Sequence, residues 1–381
     1  MGTLAITNIG AIFTGDIGNP LIEGPVSILV KEGLISEIGK GPFEADKNID
    51  VKGMTVCPGF IDSHAHPVFG DFTPRQNMIG FIDSSLHGGV TSMISAGEVH
   101  LPGRPTDPKG TKALALLAHK SFAKLRPQGV KVYGGALILE KGLKEDDFRE
   151  LSEDGVWLVG EIGLGSVKEA SEARVMVDWA KKYGMKVLMH VGGTSVPGSS
   201  TVTSEDVLTA NPTVACHLNG GPTSVSLEEA KRVMSRTGCA IEIVHCGNPL
   251  MAKEITDAAK SLDMLHRLII GNDAPSGTGV VPLGIWRMVN FVSALSNIPA
   301  EIAVCFATGN TKRTFNLTHG LIKPGDDADM QIIDAPMGSV GKDAKSAIEA
   351  GDIPGIAMVL IDGIARTQVS RNTPPPVRKI G

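Results

Sequence analysis

Several features are missing from this chain, and each absence removes a class of function. No apolar run approaches the ~20 residues of a membrane span. No excess of positive charge is present: the net charge is −5, which argues against nucleic acid or an anionic membrane as the main partner. Cys57, Cys216, Cys239, Cys246 and Cys305 are odd in number, scattered and never in Cys-x-x-Cys spacing, so neither a disulfide framework nor a zinc knuckle is indicated. Met1-Gly2-Thr3-Leu4 lacks a basic stretch before an apolar core, and Ile6 stands where a lipidation site needs Ser or Thr. A reduced, cytoplasmic setting is the expectation. No Gly-x-Gly-x-x-Gly follows the first strand of the main body, which weighs against a dinucleotide-binding sheet.

What is present has a rhythm. Many of the 46 glycines fall at the ends of apolar runs, as tight strand-to-helix turns require. Residues 1–55 read as short strands separated by Gly, Asp and Asn turns, with Val26, Ile28 and Val30 alternating as in a half-buried antiparallel sheet. From residue 56, strand-length runs at 56–66, 91–97, 130–139, 156–165, 186–192, 213–220, 240–247 and 267–273 alternate with helical stretches. One helix opens on a capping box, Ser226-Leu227-Glu228-Glu229. Eight such units over ~250 residues predict an α/β fold, a (β/α)8 TIM barrel. Strand-like patterning resumes near residue 324. The expected organisation is therefore a barrel at 56–320 and a small β-sandwich domain shared by residues 1–55 and 321–381, with a Pro-rich, partly disordered tail from 371.

Barrels carry their chemistry at the C-terminal ends of the strands. The first strand ends in His64-Ala65-His66, two imidazoles on one face because strand side chains alternate. The competing reading, two unrelated histidines near a turn, depends on whether later strands supply partners. They do: Glu161 lies in strand four among apolar residues, His190 ends strand five, His217 ends strand six and Asp273 ends strand eight. Buried carboxylates and clustered imidazoles are costly without a cation. Mixed nitrogen and oxygen donors suit two borderline divalent ions, with Glu161 and a hydroxide bridging them. Such a pair activates water near neutral pH and polarises a carbonyl, and Asp273 is placed to shuttle the proton. The implied reaction is hydrolysis at a carbonyl, most simply of an amide.

Other residues are read more plainly. Arg75 and Arg104 follow strands one and two and could fork onto a substrate carboxylate, against the alternative of solvated arginines. His245, near the end of strand seven, is either a substrate contact or a core histidine. His100 could line the mouth, while His87, His119, His266 and His319 are expected on the surface. Alternation points Cys216 away from the ligands, towards packing. The loop at 192–200 is an anion cradle or a lid.

The string Pro58-Gly59-Phe60-Ile61-Asp62-Ser63-His64-Ala65-His66, followed by Glu161, His190, His217 and Asp273, resembles the amidohydrolase superfamily. Gly160-Glu161-Ile162-Gly163-Leu164-Gly165 and Gly271-Asn272-Asp273-Ala274-Pro275-Ser276 add to the likeness, which covers nearly the whole chain. The resemblance implies a metal-dependent barrel with a small β-domain from both chain ends. It also implies a zinc or zinc/iron centre, a homotetramer, and a small cyclic amide carrying a carboxylate as substrate. Many relatives bridge their metals with a carboxylated lysine; here Glu161 takes that place. Within the superfamily the likeness points to opening of 1,4,5,6-tetrahydro-6-oxonicotinate, yielding 2-formylglutarate and ammonia in nicotinate degradation. The alternatives are another amide, as in dihydroorotases, hydantoinases or aminoacylases, and a metal-free scaffold.

Overall fold

The computed structural model describes residues 2–67, 78–99, 101, 103–194, 201–220, 223–275 and 281–381. Two bodies of sheet share the chain. The first is mixed and eight-stranded, ordered β16-β15-β14-β5-β1-β2-β3, with β4 also paired to β1. Its strands are β1 (Leu4–Phe13), β2 (Leu21–Lys31), β3 (Leu34–Gly39), β4 (Lys47–Asp50), β5 (Thr55–Pro58), β14 (Met330–Asp334), β15 (Gly355–Ile361) and β16 (Ile364–Thr367). Both ends of the chain thus build one sheet, joined where β14 pairs antiparallel with β5.

The expected antiparallel sandwich is here one continuously bonded sheet with two parallel pairings. β1 pairs with β4 over its first half and with β5 over its second, and its ladder with β2 shifts register between Ile6 and Ile9 and between Ile9 and Ala11. Ile6, Ile28, Val56, Ile332 and Leu360 form its dry core. The run expected as a single strand at 56–66 breaks at Gly59, so that β5 belongs to this sheet and β6 to the barrel. Glycine is needed there: a Cβ would lie 2.2 Å from Thr91 Cγ2.

The barrel strands are β6 (Phe60–Ala65), β7 (Val90–Ser95), β8 (Lys131–Tyr133), β9 (Leu158–Ile162), β10 (Lys186–Met189), β11 (Val214–Ala215), β12 (Ala240–Val244) and β13 (Leu268–Gly271). Neighbours pair in parallel, the signature of strands joined by crossover helices. Two bridges close the ring, Leu137 to Val159 and Ala65 to Ala274. The third and sixth strands are shorter than their sequence patterns suggest. Ile61, Ile94, Leu158, Leu188, Val214 and Ile269 fill the interior, below the level of the site. Phe60 packs edge-on against Trp286 at 4.6 Å, and Trp286 Nε1 donates to Gln331 Oε1, tying barrel to sheet. Burying each such ring contributes about 2–3 kcal/mol.

The helix Leu227–Arg236 keeps half of its expected cap. Ser226 Oγ accepts from Glu229 N, but the Glu229 carboxylate accepts from Ser204 N. The tail departs from expectation more. Arg378 binds the fully buried Asp334 through Nε at 2.8 Å and reaches Gly53 O, while Val377 N donates to Ala335 O. An unpaired buried carboxylate is costly, and Arg378 removes that cost, so the tail is held in place.

Candidate metal centre

The structure gathers all six predicted ligands at the C-terminal rim of the barrel. His64 and His66 leave β6, Glu161 sits in β9, His190 follows β10, His217 follows β11 and Asp273 follows β13. Close packing makes this possible: a Cβ on Gly271 would lie 2.6 Å from His64 Cβ, so only glycine lets β13 approach the first ligand. His217 (φ 31°) and Asp273 (φ 57°) both adopt left-handed backbone, which turns each side chain inward as its strand ends.

The ligands fall into two groups on either side of one carboxylate. His64 Nε2 and His66 Nε2 are 3.2 Å apart, and Asp273 Oδ1 lies 3.7 and 3.3 Å from them. On the other side His190 Nδ1 is 3.2 Å from His217 Nε2. Glu161 stands between. Its Oε2 is 3.6 Å from His64 and 3.8 Å from His66, while Oε1 is 2.5 Å from His217 and 3.5 Å from His190.

Outer hydrogen bonds fix which nitrogen faces inward. His64 Nδ1 meets Glu242 Oε2 at 2.8 Å, His66 Nδ1 meets Gly97 O at 3.3 Å and His190 Nε2 meets Gly193 O at 3.3 Å. Each of these acceptors requires the proton on the ring nitrogen facing it, so the inward nitrogens carry lone pairs. Lone pairs 3.2 Å apart repel unless a cation lies between them. The donor set therefore fits two divalent ions, one on each side of Glu161.

Without a cation the cluster charges its imidazoles instead: burial lowers the His217 pKa, but the Glu161 carboxylate raises it by more. Burial raises the Glu161 carboxyl, but His217 and His64 outweigh it and hold it well below the usual range. Burial also raises Asp273, and the His66 hydrogen bond with the charges of His64 and His217 brings it down to about 2. Asp62 behaves differently. Burial pushes it up to about 7, against hydrogen bonds from the Asn272 and His64 N–H groups.

The remaining candidates divide. Arg75 and His100 lie outside the described residues, as does most of the loop at 192–200. Arg104 is engaged: Nη1 donates to Glu140 Oε1 at 2.7 Å, and the other oxygen of this fully buried carboxylate accepts from Ser166 N. This revises the expectation of a fork offered to substrate, because the guanidinium fastens the loop after strand two to the loop after strand three. His245 is half-buried after β12. Burial, and secondly Arg287, lowers its pKa, and its Nδ1 has no hydrogen-bond partner among the described residues.

His319 is fully buried, not on the surface. It is hydrogen-bonded to Ser92 Oγ at 2.8 Å and stacked on Tyr133. Cys216 packs as expected, fully buried in the apolar interior of the barrel, with its thiol beside His64 and Glu242. Glu242 was the residue missed. The run Ala240-Ile241-Glu242-Ile243-Val244 isolates an acid among apolar residues, the same signal that marked Glu161.

The amidohydrolase family profile matches residues 55–365. The chain is 53% identical over 382 residues to enamidase of Eubacterium barkeri, covering 99% of both chains. A crystal structure of enamidase, described as a member of the amidohydrolase superfamily, superposes with a TM-score of 0.96 at 52% identity, covering 100% of this chain and 99% of that one. More remote are a dihydroorotase of Enterococcus faecalis, 22% identical over 85% of this chain and 74% of its own, and a β-aspartyl dipeptidase of Fervidobacterium islandicum. The latter shares the fold at a TM-score of 0.65 and 19% identity, with 99% of this chain and 98% of that one covered. A profile spanning the barrel and a full-length relative at this identity establish that the chain belongs to the amidohydrolase family.

Proposed function

We propose that this protein hydrolyses a cyclic amide, and that its substrate is 1,4,5,6-tetrahydro-6-oxonicotinate. The observation that carries the reading is Glu161, whose two oxygens each face a separate histidine pair with Asp273 beside one of them. The full-length likeness to enamidase supports the choice of lactam. Two divalent cations, proposed as zinc or zinc with iron, would supply Lewis acidity at the carbonyl and lower the pKa of water.

The chain's own residues do the rest. Asp273, held ionised, accepts a proton from the attacking water and passes it to the ring nitrogen as the C–N bond breaks. Water's hydroxyl ends on the carbonyl carbon, leaving a carboxylate and an enamine. The enamine tautomerises to an imine, and a second water releases ammonia and leaves the aldehyde of 2-formylglutarate. His64, His66 and His190 keep their inward nitrogens unprotonated through the outer hydrogen bonds that they make. For the substrate carboxylate we propose Arg75 and His245 as contacts, with Arg104 anchoring its loop. The wider setting proposed is nicotinate degradation in the cytoplasm by a homotetramer.

A panel of five- and six-membered lactams tests the reading. Ring opening of the nicotinate-derived lactam with release of ammonia is expected. Turnover of hydantoins or dihydroorotate with that lactam untouched would overturn the substrate. A protein that opens no lactam when loaded with zinc or ferrous ion would overturn the reaction class.

A further inference from the structure

Glu242 is fully buried on β12, between Ile241 and Ile243, on a strand that contributes none of the six ligands. Its oxygens are committed in three directions. Oε1 accepts from Ser63 Oγ at 2.5 Å. Oε2 accepts from His64 Nδ1 at 2.8 Å and from the backbone N–H of His217 at 3.1 Å. The carboxylate thus ties a ligand of one group to the backbone of a ligand of the other. The His217 N–H it holds belongs to a residue in left-handed backbone (φ 31°), a conformation that surrounding contacts must impose.

Cys216, His64 and Glu242 also lie close enough together to suggest a cation site of their own. His64, however, offers its Nε2 to the rim cluster, and the 2.8 Å contact of its Nδ1 with Glu242 is a charge-assisted hydrogen bond that keeps this nitrogen protonated and so unable to ligate. A buried carboxylate is a poor way to fill space in a barrel interior, since an apolar side chain of that volume would cost less.

Resting on the two-cation reading, we propose that Glu242 is a positioning residue that holds the proton of His64 on Nδ1 and fixes the turn at His217, and so couples the two cation positions. Outer partners of metal-bound histidines typically alter affinity by about 10–100-fold. Here one group acts on both positions, so its loss should weaken both binding steps. Ser63→Ala, which leaves both Oε2 contacts in place, should be much milder.

The experiment is competitive zinc titration of metal-free protein against a chelating dye. Wild type, Glu242→Gln, Glu242→Met and Ser63→Ala are compared, with folding verified by circular dichroism. We expect Glu242→Gln to lose roughly 10-fold in affinity and Glu242→Met up to about 100-fold, in both steps, with Ser63→Ala within about threefold of wild type. Folded Gln or Met variants that bind both zinc equivalents like wild type would overturn the role of Glu242 alone. Wild type binding fewer than two equivalents would instead overturn the two-cation reading. Should the variants fail to fold, nitrogen-15 NMR of the wild-type His64 ring decides. A proton on Nδ1 with and without zinc supports the proposal, and a proton on Nε2 or metal on Nδ1 refutes it.

Discussion

Asp273→Asn separates proton transfer from architecture. Asparagine has the same shape and tolerates left-handed backbone as readily as aspartate, so the φ of 57° at this position is no obstacle to folding. The carbonyl oxygen of Asn can still lie near His66 Nε2, where Asp273 Oδ1 lies at 3.3 Å. What vanishes is an ionised acceptor: the aspartate sits at about 2, far below neutral pH, whereas an amide takes no proton. General acid–base catalysis contributes about 10²–10⁴ in rate, or roughly 3–5 kcal/mol of barrier. The variant should therefore keep most of its metal, melt close to wild type and lose kcat by that factor at saturating lactam. Metal analysis and ammonia release on the same preparation supply both numbers. A fully loaded variant with kcat within threefold of wild type would refute Asp273 as the proton carrier.

Further predictions concern groups outside the rim. His319 is buried and neutral, its pKa brought by burial, and then by Lys131, to about 3 against an ordinary 6.5. The unfolded chain takes up that proton as pH falls below 6.5 and the folded chain does not, so stability present at neutral pH is lost between about 6.5 and 3, by at most about 5 kcal/mol. Urea unfolding of metal-free wild type and His319→Asn across that range should show the steeper loss in wild type; parallel curves would contradict this. Arg104→Met should destabilise the protein by about 3 kcal/mol with little change in KM, because it strands Glu140; a tenfold rise in KM with an unchanged melt would make Arg104 a substrate contact. Arg378→Met should cost about 2 kcal/mol and Lys379→Met almost nothing, as read by thermal melting, since only Arg378 meets the buried Asp334.

The barrel and the polar cluster at its rim were legible because two signals coincided. Eight apolar strands spaced by helical stretches gave the fold, and polar residues at the ends of those strands gave the site. Strand alternation placed His64 and His66 together correctly. What stayed hidden was the turn after Cys216: β11 is two residues long and His217 leaves extended backbone, which sequence alone does not reveal. The surface assignment of His319 failed because its partners, Ser92 and Tyr133, are far away in the chain. The tail looked loose from its prolines, yet Arg378 on the buried Asp334, Val377 N on Ala335 O and Asn372 Nδ2 on Ser84 O hold it. The break at Gly59 was hidden because residues on both sides are apolar and extended, and only pairing with β14 shows that β5 belongs elsewhere.

The most direct test of the account is the metal content and anomalous diffraction of crystals loaded with zinc or ferrous ion. Two ions per chain are predicted, one among His64, His66 and Asp273, the other between His190 and His217, with an oxygen of Glu161 on each. A single ion, or occupancy at another cluster such as His319, Asp327 and Asp329 with the rim empty, would contradict it.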